Sequence, residues 1–380
     1  MRGRLVKRSQ GSWRIVLDGA PDPVTGKRRQ VSRTVRGPKR EAERVLAELL
    51  TQRDRGAGIR PERLTVAEYL RDWCAGLALR VRPSTATRYR GIVSTHVLPQ
   101  LGAVRLARLT APQVNALLAD RLAAGCAPRT VAHVRAVLRT ALHDAIRADL
   151  VTRNAAALAT PPHVPGHTVA AMEAAEAQAI LAATAQTRIA AIVATALYTG
   201  LRQGEVLGLR WADCDLDRGQ LRVIAALQRV GGRFQLVEPK SASSRRPVSL
   251  PPPLVPVLRA HRTAQLEAQL RAGPAWAEPI PGLVFTTAIG RPLLGVVVTQ
   301  EFQASCARAG LPRRRFHDLR HGCATLLLAA GVDLKTVSAI LGHSSISLPA
   351  DTYAAVLPSL AADAMTRLGD LLEPGHRPAP

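Results

Sequence analysis

Aromatic residues make up only 3% of this 380-residue chain, although 47% of it is hydrophobic. Leu, Val and Ala must then fill most of its core, a composition that leans toward helices. Cysteine is sparse and scattered, at positions 74, 126, 214, 306 and 323, with no CxxC pair and no His/Cys cluster. That pattern argues against a disulfide framework or a zinc site and predicts reduced thiols. A run of about 18 apolar residues is absent, which argues against a membrane span. The N-terminus shows no apolar signal core. A soluble, cytoplasmic protein without a membrane partner is therefore expected. Acidic residues are the other shortage: 28 against 52 basic ones, for a net charge of +24. A globular chain this basic ordinarily meets a polyanion, most often nucleic acid. Lysine stands only at positions 7, 27, 39, 240 and 335, so arginine carries nearly all the positive charge. A GC-rich coding bias explains the preference for Arg over Lys, but it does not explain the net excess.

Three stretches differ in pattern. In residues 1–60, Trp13, Ile15 and Leu17 alternate with polar residues as in a half-buried strand. Asp22-Pro23-Val24-Thr25-Gly26 reads as a turn, Gln30 to Val35 as a returning strand, and Lys39 to Gln52 as a helix. Arg28, Arg29, Arg33 and Arg36 make this either a sheet suited to a DNA groove or a solvated basic hairpin. Residues 64–158 read as all-helical. Thr65-Val66-Ala67-Glu68 fits a capping box opening a helix with Val66, Tyr69, Leu70, Trp73 and Leu77 on its apolar face. Ser84 or Thr85 can start a second helix, Thr110 with Gln113 caps a third, and Arg129 to Asp149 forms a fourth. Thr160 to Gly166, rich in proline, is the best linker. Beyond it, residues 170–375 predict helices near 173–184, 188–199, 203–210, 296–309, 318–330, 333–341 and 350–370, with strands between Leu221 and Leu250.

The last stretch holds the reactive side chains. Breaking a phosphodiester by direct attack needs a nucleophile, cations for the charge that develops on phosphorus-bound oxygens, and an acid for the departing oxygen. Paired guanidiniums suit the second task because each presents a planar fork to two oxygens. Lys or His supplies the acid. Four segments carry this inventory in order: Tyr198-Thr199-Gly200-Leu201-Arg202-Gln203-Gly204-Glu205, Pro239-Lys240-Ser241, His317-Asp318-Leu319-Arg320-His321, and Leu341-Gly342-His343-Ser344-Ser345 followed by Asp351-Thr352-Tyr353.

Together these segments resemble the arginine box, lysine hairpin, H-x-x-R box and nucleophile segment of tyrosine recombinases of the phage integrase family. The resemblance is close over residues 170–360 and weaker toward the N-terminus. It implies a mainly α fold with small β elements (α+β). The expected parts are a sheet-plus-helix arm-binding domain at 1–60, a helical SAM-like core-binding domain at 64–158, and a mixed α/β catalytic domain at 170–375.

By that resemblance, Tyr353 attacks the scissile phosphate, leaving a 3′-phosphotyrosine and a free 5′ hydroxyl. Arg202 and Arg320 clamp the non-bridging oxygens, Lys240 protonates the leaving oxygen, His317 is the acid–base partner, His343 bonds the phosphate and Glu205 supports the site. Neither a cofactor nor a metal is implied. The partners implied are double-stranded DNA at attachment-type sites, a homotetramer on synapsed DNA, and accessory bending and directionality proteins. The function implied is integration or excision of a mobile element, including a viral genome.

Bland readings stand beside these. Arg202 alone resembles a solvated cap and Lys240 an exposed turn residue. His321 reads as a neighbour of the site, and Arg313-Arg314-Arg315 as either a DNA-backbone contact or a charged loop. Tyr69, Tyr89 and Tyr198 read as packing, which leaves Tyr353 as the nucleophile. Leu348-Pro349 stands where many relatives carry two threonines, a departure that bears on the helix carrying Tyr353. Two other functions use much of the same inventory: DNA relaxation of the type IB topoisomerase kind, and DNA binding without catalysis by a decayed integrase.

Overall fold

The computed structural model describes residues 3–18, 30–54, 63–165, 171–238, 245–342 and Met365. The chain separates into compact units of residues 1–166 and 167–380.

The first unit opens with an antiparallel sheet of β1 (Arg4–Ser9), β2 (Ser12–Asp18) and β3 (Gln30–Arg36), in that order, followed by α1 (Lys39–Asp54). Ile15 on β2 and Ala42 on α1 are fully buried, so the small core lies where helix meets sheet. The alternation at Trp13 and Ile15 is the inward face of β2, whereas β1 was not legible. Only Leu5 of its residues is even partly buried, and an exposed edge strand carries no alternation to read. The expected turn at 22–26 lies outside the described residues.

A helical bundle follows: α2 (Val66–Gly76), α3 (Pro83–Ile92), α4 (Leu98–Leu101), α5 (Ala111–Ala123), α6 (Pro128–Arg147) and α7 (Ala155–Leu158). Thr65 caps α2 as its sequence predicts: its hydroxyl accepts from the Glu68 N–H at 3.2 Å while Glu68 Oε2 accepts from the Thr65 N–H at 2.8 Å. Thr110 and Gln113 close the corresponding box on α5. The second helix starts earlier than Ser84, because Pro83 fits the first helical position, where a missing N–H costs nothing. Leu70, Leu117, Leu138 and Leu142 form the fully buried centre. Tyr69 donates to the Ala141 carbonyl, and Trp73 stacks on Tyr89 with 5.8 Å between ring centroids. Both tyrosines thus serve packing.

The second unit runs α8 (Ala174–Thr184), α9 (Ala190–Thr199), α10 (Gln203–Leu207), β4 (Cys214–Asp215), β5 (Gln220–Val223), β6 (Ala226–Val230), β7 (Arg233–Val237), β8 (Arg246–Ser249), α11 (Leu254–Ala272), α12 (Gly295–Arg308), α13 (Asp318–Ala329) and α14 (Leu334–Leu341). β4, β5 and β8 form one antiparallel sheet, and β6 and β7 form a hairpin closed by Gly231 and Gly232. α9 is buried on nearly every side, which its run of Ala, Ile, Val and Leu allows. Helix α11 was not anticipated. Pro251, Pro252, Pro253 and Pro256 disguise its start, and it buries only Leu254 and Leu258. The final helix expected near 350–370 lies outside the described residues apart from Met365.

Candidate active site

Where α9 ends, Gly200 adopts φ +62°, and a Cβ there would lie 2.2 Å from Leu341 Cδ2 and 3.2 Å from Cys323 Sγ. Only glycine lets the end of α9 press this closely against α13 and α14. Leu201 is then buried, and Arg202 becomes the residue that opens α10. Glu205, one turn into α10 and 3% exposed, turns back on it. Its Oε2 accepts the Arg202 backbone N–H at 3.0 Å and its Oε1 accepts Arg202 Nη1 at 2.7 Å. The second terminal nitrogen, Arg202 Nη2, donates to the Gly342 carbonyl at 3.3 Å. Arg202 remains 40% exposed at its side chain, so the fork is held but reachable.

Arg320 comes to the same place from α13. It is 4% exposed, and its Nη1 donates to the Gly200 carbonyl at 2.7 Å. Its Nη2 is buried with no hydrogen-bond partner among the described residues. A buried cationic donor left open in this way is suited to an anion's oxygen. Burial, then repulsion from Arg202, lowers the Arg320 pKa to about 10, with Glu205 opposing and Arg246 adding to the fall.

Arg246, at the start of β8, is the residue that sequence reasoning missed. It is 8% exposed. Its Nε donates to the Ile340 carbonyl at 2.7 Å, and its Nη2 lies 3.7 Å from Glu205 Oε2. The one available signal was its place just after the Lys240 segment.

His317 precedes the first turn of α13, one turn before Arg320. Its ring meets that of His321 edge-on, with 5.0 Å between centroids. Water reaches the residue, yet the mass of protein around the imidazole lowers its pKa to about 4, helped by His321 and Arg320. At neutral pH the ring is therefore a proton acceptor. Asp318 anchors this corner by accepting the Arg315 backbone N–H at 2.8 Å and Arg315 Nη2 at 2.9 Å. Arg314 is chelated by both oxygens of Glu176, each at 2.7 Å. Of the three consecutive arginines, then, Arg314 and Arg315 hold the fold together and Arg313 stays exposed.

Three of the six expected catalytic residues, Arg202, His317 and Arg320, thus share one locality. Lys240, His343 and Tyr353 lie outside the described residues, though Gly342 immediately precedes His343 in sequence. Tyr198 is half-buried and packs against the unit's core. Among the described residues no cluster of three or more His, Cys, Asp or Glu side chains is placed to hold a metal ion. No helix among them is long and apolar enough to cross a membrane.

Comparison with known proteins gives this geometry a lineage. The profile described as "Phage integrase family" matches residues 170–359, and "Phage integrase, N-terminal SAM-like domain" matches residues 65–119. A tyrosine recombinase XerC-like protein of Caldanaerobacter subterraneus is 30% identical over 351 residues, covering 88% of this chain and 90% of its own. An integrase of Streptomyces ambofaciens is 34% identical, covering 83% of this chain and 82% of its own. Among solved structures, the Tn1549 transposon integrase in complex with a circular intermediate DNA superposes with a TM-score of 0.66 at 19% identity, over 80% of this chain and 99% of that one. A lambda integrase dimer bound to a COC' core site superposes with a TM-score of 0.55 at 20% identity, over 90% and 92%. The chain belongs to the phage integrase family of tyrosine recombinases, enzymes that break and rejoin DNA.

Proposed function

We propose that this protein is a site-specific integrase that cuts and reseals duplex DNA through a covalent link between Tyr353 and a 3′ phosphate, serving the integration or excision of a mobile element. One observation carries the reading most directly. Among the described residues the buried Arg320 Nη2 has no acceptor, it lies beside a second, accessible guanidinium, Arg202, and the neighbouring carboxylate, Glu205, is already engaged. A scissile phosphate is the anion that such a fork pair suits.

In the forward step the Tyr353 oxygen bonds to phosphorus while the bond to the 5′ oxygen breaks. The tyrosine proton passes to His317, whose depressed pKa keeps it free to accept. Lys240 gives a proton to the leaving 5′ oxygen, and His343 donates a hydrogen bond to the phosphate. Arg202 and Arg320 oppose the charge that grows on the non-bridging oxygens. Rejoining reverses each transfer, and the phosphotyrosine conserves the bond energy.

Residues 170–375 would be the catalytic part, 64–158 the part that grips the core site and 1–60 an arm-binding part. The relatives described as integrases of Streptomyces ambofaciens and Mycobacterium phage L5, and the neighbouring structures described as in complex with DNA or bound to a core site, support double-stranded DNA as the substrate. A lambda integrase tetramer bound to a Holliday junction supports assembly as a homotetramer. Accessory bending and directionality proteins would then bias the outcome.

The test is a nicked suicide duplex, in which the 5′ end released by cleavage diffuses away and traps the intermediate. Wild-type protein is expected to give a covalent adduct that survives denaturation, and Tyr353→Phe none. Binding by both proteins with an adduct from neither would replace catalysis with simple DNA binding.

A further inference from the structure

Three guanidiniums, those of Arg202, Arg246 and Arg320, lie close together: burial, with repulsion from Arg202, lowers the pKa of both Arg246 and Arg320, and Glu205 opposes both falls. Arg202 and Arg320 have an evident task in the proposed cleavage chemistry, and a role for the third rests on that proposal. Arg246 has no such task, yet it is buried and tied at two points. It holds the Ile340 carbonyl at 2.7 Å, near the C-terminal end of α14, where the last carbonyls lack intrahelical partners. It also stands 3.7 Å from the carboxylate that grips Arg202. The Gly342 backbone is pressed against it: a Cβ at Gly342, which has φ +67°, would lie 2.7 Å from Arg246 Nη1 and 2.9 Å from its Cζ. The Gly342 carbonyl in turn accepts from Arg202 at 3.3 Å.

These contacts close a ring from Arg246 through Glu205, Arg202 and Gly342 back to Arg246. The ring joins β8, which opens after the segment carrying Lys240, to α10 and to the turn that leads into His343. We infer that Arg246 is a positioning residue for the cleavage step. It fixes the orientation of the Arg202 fork through Glu205 and the Gly342 turn through the end of α14, without touching DNA itself. Its charge has a second effect. Glu205 pulls on Arg202, and sharing that carboxylate with Arg246 leaves more of the Arg202 charge for the phosphate. Three guanidiniums against one carboxylate leave a surplus of two positive charges. A phosphodiester monoanion attacked by a deprotonated tyrosine passes through a dianion, which that surplus matches.

The experiment compares wild type, Arg246→Gln, Arg246→Lys and Tyr353→Phe on the suicide duplex, measuring adduct formation at saturating DNA, DNA affinity and thermal midpoint. Arg246→Gln is expected to slow adduct formation by about 10- to 100-fold, the range that small misplacement of reacting groups produces, with affinity unchanged. Arg246→Lys keeps the charge but makes only one of the two contacts, and should recover part of the rate. If the Gln form melts early, the Lys form decides: a slower rate at unchanged affinity and midpoint supports the inference. A wild-type rate in the variant that folds overturns it, as does a loss that merely tracks affinity or melting. Should Tyr353→Phe still form the adduct, the reading of the nucleophile fails instead, and the two failures are told apart within one set of reactions.

Discussion

The helical bundle and the second unit bury different things. Among the described residues, and aromatics aside, the bundle hides one polar side chain, Asn154. Its amide nitrogen donates to the Arg139 carbonyl and its oxygen accepts from the Ala157 N–H. The second unit hides, besides several Ser and Thr hydroxyls, five charged side chains: Glu205, Asp213, Arg246, Asp318 and Arg320. Taking a charge out of water costs several kcal/mol unless it is paired. Asp213 and Asp318 are paired close by in sequence, with Arg210 and Arg315. The other three converge on one spot, and there cation exceeds anion. Burial in the bundle is thus accounted for by packing, whereas burial around Arg320 costs stability that packing does not return. That difference separates a scaffold from a site.

The largest effect expected from breaking this contrast is on rate. Arg320→Met should slow adduct formation by about 100- to 1000-fold, the range seen when one preorganised donor is removed. It should lower folding stability by no more than about 1.5–3 kcal/mol, the worth of the charge-assisted hydrogen bond to the Gly200 carbonyl, because relief of the buried charge offsets that loss. Parallel urea melts and suicide-substrate kinetics measure both. A collapse in stability instead would make Arg320 a structural cation.

Leu117→Ala in the bundle should do the converse. Leu117 is fully buried, and truncation should cost about 2–5 kcal/mol in urea unfolding. Adduct formation at saturating DNA by the remaining folded protein should keep its rate.

A smaller effect sharpens the comparison through pH. Folded His317 takes its proton near pH 4, against 6.5 for the ordinary side chain. Between those values the unfolded chain binds a proton that the folded chain refuses. Stability therefore falls as pH drops through 6.5 toward 4, and the loss is complete below that. His317→Gln should flatten this part of a plot of urea midpoint against pH. An unchanged acid slope would mean that His317 titrates normally.

How much of this was legible in the sequence depended on the range of the contacts. The Thr65–Glu68 and Thr110–Gln113 caps could be read because their hydrogen bonds span three residues. The faces of α2 and α6 were legible as helical periodicity. Helix α11 escaped because its prolines mimic a loop, and β1 because an exposed edge strand lacks alternation. Arg202 and Arg320 were legible only as parts of segments resembling a known family, since the carbonyl that fixes Arg320 lies 120 residues away. Arg246 stayed hidden for the same reason, its partner carbonyl being 94 residues distant. Arg314 reads in sequence as a DNA-backbone contact or part of a charged loop, and only the fold brings Glu176 to it.

A cluster of guanidiniums that delivers one phosphate to one tyrosine is the central claim. Digestion of the trapped adduct and mass spectrometry of its nucleotide-bearing peptide test it most directly. The expected product is a peptide containing Tyr353, joined to a 3′ phosphate, with a 5′ hydroxyl on the released strand. A nucleotide on Tyr198 or any other residue, or a 5′-phosphate linkage, would contradict it.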